Sequence, residues 1–335
     1  MPSAALRETV APSVSSCAPS TPTPVASGSA SGRILVVRGG ALGDFILTLP
    51  VLAALRTHFP GNRIEVLGYP QWAQLAVETG LADDARSIDA RPLAGFFARG
   101  GTLDPGLSGY FRSFHLIVSF LFDPDLIFRG NVGLTSQAGF IQGPHRPDEA
   151  LSQHACEQLL RPLQQLAVFD VDAVPRLQRA REGAFPKGAR RIAVHPGSGS
   201  ERKNWPETAW RELLSRLAQA PELQFLLVGG EAEGERLHRL AAALPPDRVE
   251  VLRARPLPEV ASRLAGCAGF LGHDSGITHL AAAVGLPGVV LWGPSCLSVW
   301  RPRSERMEIV DSGGDLAALP VETVESRVRD RLAGW

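Results

Sequence analysis

The sequence predicts a doubly wound α/β protein in two halves, and three observations carry that expectation. From Arg33 onward, short β-branched apolar runs alternate with stretches of helical periodicity, the rhythm of parallel sheets covered by helices. In each half an apolar run breaks into a Gly- or Ser-rich turn that leads directly into a helix. An irregular basic segment from Asp170 to Ala189, interrupted by Pro175, Pro186 and Gly188, separates the halves. At 335 residues and 44% hydrophobic, the chain is long enough for two cores.

The first half, residues 33–178, is read with strands at Ile34 to Arg38, Arg63 to Gly68 and His115 to Phe120. Its helices are Asp44 to His58, Gln71 to Thr79 and Glu149 to Leu166. The second half, residues 190–315, has strands at Arg191 to His195, Gln224 to Val228, Val249 to Leu252, Gly269 to Leu271 and Val289 to Trp292. Helices at Glu207 to Ala220, Glu233 to Leu244, Leu257 to Leu264 and Ile277 to Val284 connect them. Residues 320–335 hold a last helix, Val321 to Leu332. Residues 1–32, rich in Ser, Pro, Ala and Thr, read as a disordered tail, neither a signal peptide nor an anchor.

Composition excludes several classes. With 34 basic and 34 acidic residues, nothing suggests bulk attraction to nucleic acid. No apolar run approaches the ~18 residues that a transmembrane segment needs. Cys17, Cys156, Cys267 and Cys296 lack paired spacing, so neither a zinc site nor a disulfide framework is signalled, and a reducing cytoplasm fits.

The richest stretch is Gly272 to Pro294. Its Asp274-Ser275-Gly276 turn opens a helix, where exposed N–H groups and the positive end of the dipole suit a phosphate or diphosphate. His279, one turn in on the same face, adds a donor. Asp and Ser are also ordinary N-caps, which is the plainer role for this turn. A second anion-binding turn follows the strand ending at His195: Pro196-Gly197-Ser198-Gly199-Ser200-Glu201-Arg202-Lys203-Asn204-Trp205-Pro206. Lys203 is one of only two lysines in the chain.

In the first half, Gly39-Gly40-Ala41-Leu42-Gly43-Asp44 imitates a dinucleotide fingerprint, but Arg38 stands where the first glycine belongs, and no Walker Lys-Ser/Thr follows. Asp44 is either the helix cap or a carboxylate at a strand end facing a cleft, fit for general-base work. Asp123-Pro124-Asp125 imitates a metal-binding acid pair, but Pro124 forces a turn and solvated acids are the simpler reading, so no metal is expected.

These patches resemble family 9 glycosyltransferases, whose best-known members are the ADP-heptose:lipopolysaccharide heptosyltransferases. The Gly-Asp-x-x-x-x-x-Pro signature of the family matches Gly43-Asp44 through Pro50, and its Lys shortly before Trp-Pro matches Lys203-Asn204-Trp205-Pro206. The resemblance implies a GT-B fold, two Rossmann-like domains facing across a cleft, with the last helix packing back on the first domain. It implies an inverting, metal-independent transfer of a sugar, foremost heptose from ADP-heptose, to a glycan acceptor such as lipopolysaccharide core. Asp44 and Lys203 then fall on catalytic positions. Ser198, Ser200, Lys203, Asp274, Ser275, Gly276 and His279 face the donor's diphosphate, and Glu233, or less favourably Glu231, its ribose or base. Trp292-Gly293-Pro294 lines the donor pocket, and the Gly- and Phe-rich segment 91–111 lies where acceptors bind in the family. No cofactor is implied beyond the nucleotide-sugar donor. The expected setting is the cytoplasm, with peripheral contact at the inner face of the membrane if the acceptor is lipid-linked. An epimerase of the same fold and a non-catalytic nucleotide-sugar binder are the rival readings. Sugar-nucleotide interconversion without an acceptor would mark the first, and tight donor binding without turnover the second.

Overall fold

The computed structural model describes residues 32–177, 190–231 and 233–332. The expected tail lies outside these residues apart from Gly32, as does most of the basic join.

The first lobe is a five-stranded parallel sheet of β1 (Arg33–Arg38), β2 (Arg63–Gly68), β3 (Asp84–Ser87), β4 (Leu116–Ser119) and β5 (Gly139–Gln142), in the order β3-β2-β1-β4-β5. The second is a six-stranded parallel sheet of β6 (Arg190–His195), β7 (Leu223–Gly229), β8 (Val249–Arg253), β9 (Gly269–His273), β10 (Gly288–Trp292) and β11 (Met307–Asp311), in the order β11-β10-β9-β6-β7-β8. In both sheets the strand order reverses beside the first strand, between β1 and β4 and between β6 and β9. A crevice opens at such a switch point, beyond the carboxyl ends of the strands.

Five helices belong to the first half: α1 (Leu42–His58), α2 (Pro70–Glu78), α3 (Pro105–Arg112), α4 (Ile127–Gly133) and α5 (Ala155–Leu160). The second half carries α6 (Glu207–Leu217), α7 (Gly234–Ala241), α8 (Leu257–Ala265), α9 (Gly276–Ala283), α10 (Leu297–Trp300) and α11 (Val321–Leu332). Helix α1 is apolar nearly all round because it is buried between its own sheet and the second lobe. Its Leu42 and Phe45 join Leu280 and Ala281 of α9 in one apolar cluster that runs across both lobes. A backbone bond from Leu177 N–H to the Ala283 carbonyl (2.8 Å) adds a further link between the halves.

Three expectations need correction. The helix expected over residues 149–166 is broken into two 3₁₀ segments flanking α5, because Ser152 takes a left-handed φ of 50° and Pro162 removes a backbone donor. The last helix does not pack on the first lobe. Val321, Val324 and Val328 of α11 sit with Trp205, Trp210 and Leu213 in the core of the second lobe, and Glu322 and Glu325 bond to Arg216 of α6. Segment 91–111, expected on the acceptor side, packs against the first sheet instead of lining the interlobe cavity. Leu93, Phe96, Leu107 and Phe111 pack on Leu35, Val37 and Ile117, closing the other face of the first sheet, and none of the segment lines the cleft. Buried Asn131 fixes its first turn by donating to the carbonyls of Phe96 and Ala98 (both 3.0 Å).

Candidate active site

A cavity of about 1790 Å³ lies between the lobes, and Asp44, Ser198, Ser200, Lys203, Glu233, Asp274, Ser275, Gly276 and His279 all line it. Glu231 does not. Nor does Trp292, which is buried with its indole N–H on the Ser295 carbonyl (2.8 Å); of its tripeptide only Pro294 reaches the cavity.

The floor is made by two helix starts, one from each lobe. Helices α1 and α9 approach through glycine: a Cβ on Gly276 would come within 2.8 Å of Leu42 Cβ and 3.0 Å of Gly43 N. No larger residue fits at 276 without parting the lobes.

On the first-lobe side, Asp44 is the third residue of α1. Its Oδ2 accepts from Ala41 N–H (2.9 Å), and Oδ1 lies 3.4 Å from a guanidinium nitrogen of Arg38. The side chain stays 29% exposed to the cleft, so one carboxylate both caps its own helix and presents oxygen to the cavity. Gly40, at φ 90°, makes room for it, since a Cβ there would fall 2.7 Å from Oδ2. Burial lowers the Arg38 pKa while Asp44 opposes the shift.

On the second-lobe side, Ser275 caps α9, accepting from Thr278 N–H (3.2 Å). Asp274, nearly buried, accepts from Lys203 Nζ (2.7 Å) and from the Ser295 hydroxyl (2.5 Å) through the same Oδ2. Lys203 remains 36% exposed, so its ammonium is aimed by Asp274 and still reaches the cavity. Ser198 donates to the Ser200 carbonyl (2.7 Å), which holds the Gly/Ser turn in shape. Glu233 accepts from Gly230 N–H (2.8 Å) and crosses above Gly197, where a Cβ would come within 2.3 Å of its Cγ.

His279 is buried, and desolvation lowers its pKa to about 4 despite the nearby Asp274. It faces the cavity as a neutral ring, not a positive charge. His273, just before the turn, carries no expected role in the sequence, yet it holds the Lys203 loop. Its Nε2 accepts from Trp205 N–H (2.9 Å), so the ring proton sits on Nδ1, which faces the Gly197 carbonyl (3.4 Å). Burial drops its pKa to about 3. Arg38 and Ser295 are further site residues that sequence reasoning passed over. The usable signal for Arg38 is a charge closing the apolar run Ile34 to Val37 where the strand meets the glycine turn.

The Asp123-Pro124-Asp125 acids stand outside the cavity. Asp123 accepts from Phe128 N–H (3.1 Å) and Arg129 N–H (2.9 Å) at the start of α4, and Asp125 faces Arg99 at 3.7 Å. Among the described residues, no group of three or more His, Cys, Asp or Glu side chains is placed to hold a metal ion.

Two parallel-sheet lobes with a cleft at their switch points, lined by charged side chains from both and by hydroxyls of the second, make the GT-B arrangement. The chain belongs to glycosyltransferase family 9 (heptosyltransferase), whose family model matches residues 153–326. It is 29% identical over 295 residues to lipopolysaccharide heptosyltransferase 1 of Pseudomonas aeruginosa, covering 78% of this chain and 79% of that one. The fold is shared with the family 9 glycosyl transferase of Veillonella parvula, at a TM-score of 0.75 and 17% identity, covering 91% of this chain and 98% of that one. It is shared too with Escherichia coli heptosyltransferase WaaC with ADP, at 0.70 and 22%, covering 89% and 99%.

Proposed function

We propose that the enzyme transfers heptose from ADP-heptose, with inversion and without a metal ion, to a glycan acceptor such as lipopolysaccharide core. The reading is supported most by the opening of Asp44 and Lys203 into one cavity from opposite lobes. Relatives named as lipopolysaccharide heptosyltransferases, and a structure of one with ADP, suggest the donor and acceptor.

In this scheme Asp44 takes the proton of an acceptor hydroxyl. The hydroxyl oxygen attacks the anomeric carbon from the first-lobe side, and the bond to the β-phosphate oxygen breaks with its electron pair leaving on ADP. Attack on one face and departure from the other inverts the carbon. The growing charge on ADP meets Lys203, the N–H groups at the α9 start and the neutral His279, which fill the role a metal ion plays elsewhere. Charge-assisted hydrogen bonds of this kind contribute about 1.5–3 kcal/mol each. Asp274 holds Lys203 in place, and Glu233 stands where a ribose hydroxyl would be met.

Among the described residues no helix is long and apolar enough to cross a membrane. The proposed setting is the cytoplasm, with a lipid-linked acceptor met at the inner face of the membrane.

The test is a donor screen that reads released nucleoside diphosphate with and without candidate glycans. ADP release from ADP-heptose that depends on a core oligosaccharide is expected, with the anomeric configuration of the product opposite to that of the donor by NMR. Turnover of the donor into another sugar nucleotide without acceptor, or no turnover with any glycan, would reject the assignment.

A further inference from the structure

We propose that Arg38 is a positioning residue for the transfer reaction: its buried guanidinium fixes Asp44 in the cleft by tying the start of α1 to the two first-lobe loops beside it. This rests on the reading of Asp44 as the base.

Arg38 ends β1 with its side chain only 2% exposed. Its Nη1 donates to the His145 carbonyl (2.8 Å) and lies 3.4 Å from the Phe120 carbonyl. Nε and Nη2 approach the Asp44 carbonyl at 3.4 and 3.3 Å, and Nη2 is 3.4 Å from Asp44 Oδ1. Three chain segments, the end of β4, the loop at His145 and the first turn of α1, therefore converge on one planar cation.

Position and charge both matter here. A guanidinium can be buried only if its hydrogens are satisfied and its charge is compensated, and Asp44 is the sole carboxylate paired with it among the described residues. In return, the guanidinium restricts the Asp44 carboxylate from one side while Ala41 N–H holds its other oxygen. Phe120 and His145 line the first-lobe wall of the cavity, so the same cation sets the distance between the carboxylate and the surface on which an acceptor would rest. Arg38 also lines that wall, and it has no role as a proton carrier, since a guanidinium stays protonated.

The experiment is a double-mutant cycle on turnover, with ADP affinity measured by calorimetry on every variant. Arg38→Met is expected to lower kcat by about 10- to 100-fold, the scale of a misplaced catalytic group, with the ADP Kd changed by less than about twofold. In the Asp44→Ala background the same substitution is expected to lower the residual rate by less than about twofold, because the two residues act as one unit. A general loss of structure would instead lower the rate by the same factor in both backgrounds and weaken ADP, and that result overturns the proposal. Wild-type kcat in Arg38→Met with an inactive Asp44→Ala overturns it while leaving the base intact; full activity in Asp44→Ala removes the base and this proposal together. If Arg38→Met does not fold, Arg38→Lys decides. Its charge is kept but it cannot span three carbonyls, so a kcat reduced about tenfold with unchanged ADP affinity is expected, and wild-type kcat contradicts the idea.

Discussion

The two helix starts at the floor of the cleft are built alike and behave differently. Each follows a central strand, each carries an aspartate, and they touch through Gly43 and Gly276. Yet the Asp44 carboxylate is held by a backbone N–H and a sealed arginine, with a face left open to the cavity. The Asp274 carboxylate is nearly buried, with Lys203 and Ser295 on the same oxygen. One acid is presented and the other is engaged in aiming a cation. What a side chain can do at a helix start is decided by which neighbour reaches it first, and the neighbour comes from far along the chain: Lys203 is 71 residues from Asp274.

The contrast can be broken from either side. Asp44→Ala should lose about 10²- to 10⁴-fold in kcat, the usual weight of a general base, while ADP binds as before. Equal turnover would mean that the open carboxylate has no part in the chemistry. Lys203→Ala should leave the first lobe untouched and weaken ADP about 10- to 100-fold in calorimetry, the loss of one charge-assisted contact to phosphate. An unchanged Kd would place the diphosphate away from α9.

Acid sensitivity should also concentrate on the second-lobe side, with His154 the first-lobe exception, its pKa likewise lowered by burial. The pKa values of His195, His273 and His279 are all lowered by burial, to about 3 for His273 and about 4 for His279. An unfolded chain binds protons at these groups near pH 6.5, before the folded one does, so stability is full above that pH and is lost progressively as pH falls below it. Melting temperature should drop steadily from pH 6.5 to 5, and less steeply in His273→Gln; a flat profile would contradict the buried neutral imidazoles. The smallest effect belongs to Asp123→Ala. Losing its cap on α4 should lower stability by about 1 kcal/mol in urea unfolding and leave kcat unchanged, and an activity loss would reopen its acids as a site.

Much of this was readable in the sequence, for identifiable reasons. Inner strands such as β1, β6, β9 and β10 are buried on both faces and show as continuous apolar runs, and the glycine turns after β1 and β6 mark the switch-point loops. Edge strands escape the same reading. In β3, Asp84-Ala85-Arg86-Ser87 alternates exposed and half-buried positions and has no apolar run to find. The docking of α11 was legible as a helix but not as to its partner, because three valines on one face do not say which lobe they meet. His273 and Arg38 were missed because their partners, Trp205 and the carbonyls of Phe120 and His145, lie 68 to 107 residues away.

The most direct test of a sugar diphosphate gripped across this cleft is a crystal structure with the unreactive donor analogue ADP-2-deoxy-2-fluoro-heptose. The account predicts β-phosphate oxygens within about 3 Å of Lys203 Nζ and of the first N–H groups of α9, with the anomeric carbon turned towards Asp44. A diphosphate seated elsewhere, or an anomeric carbon facing away from the first lobe, would contradict it.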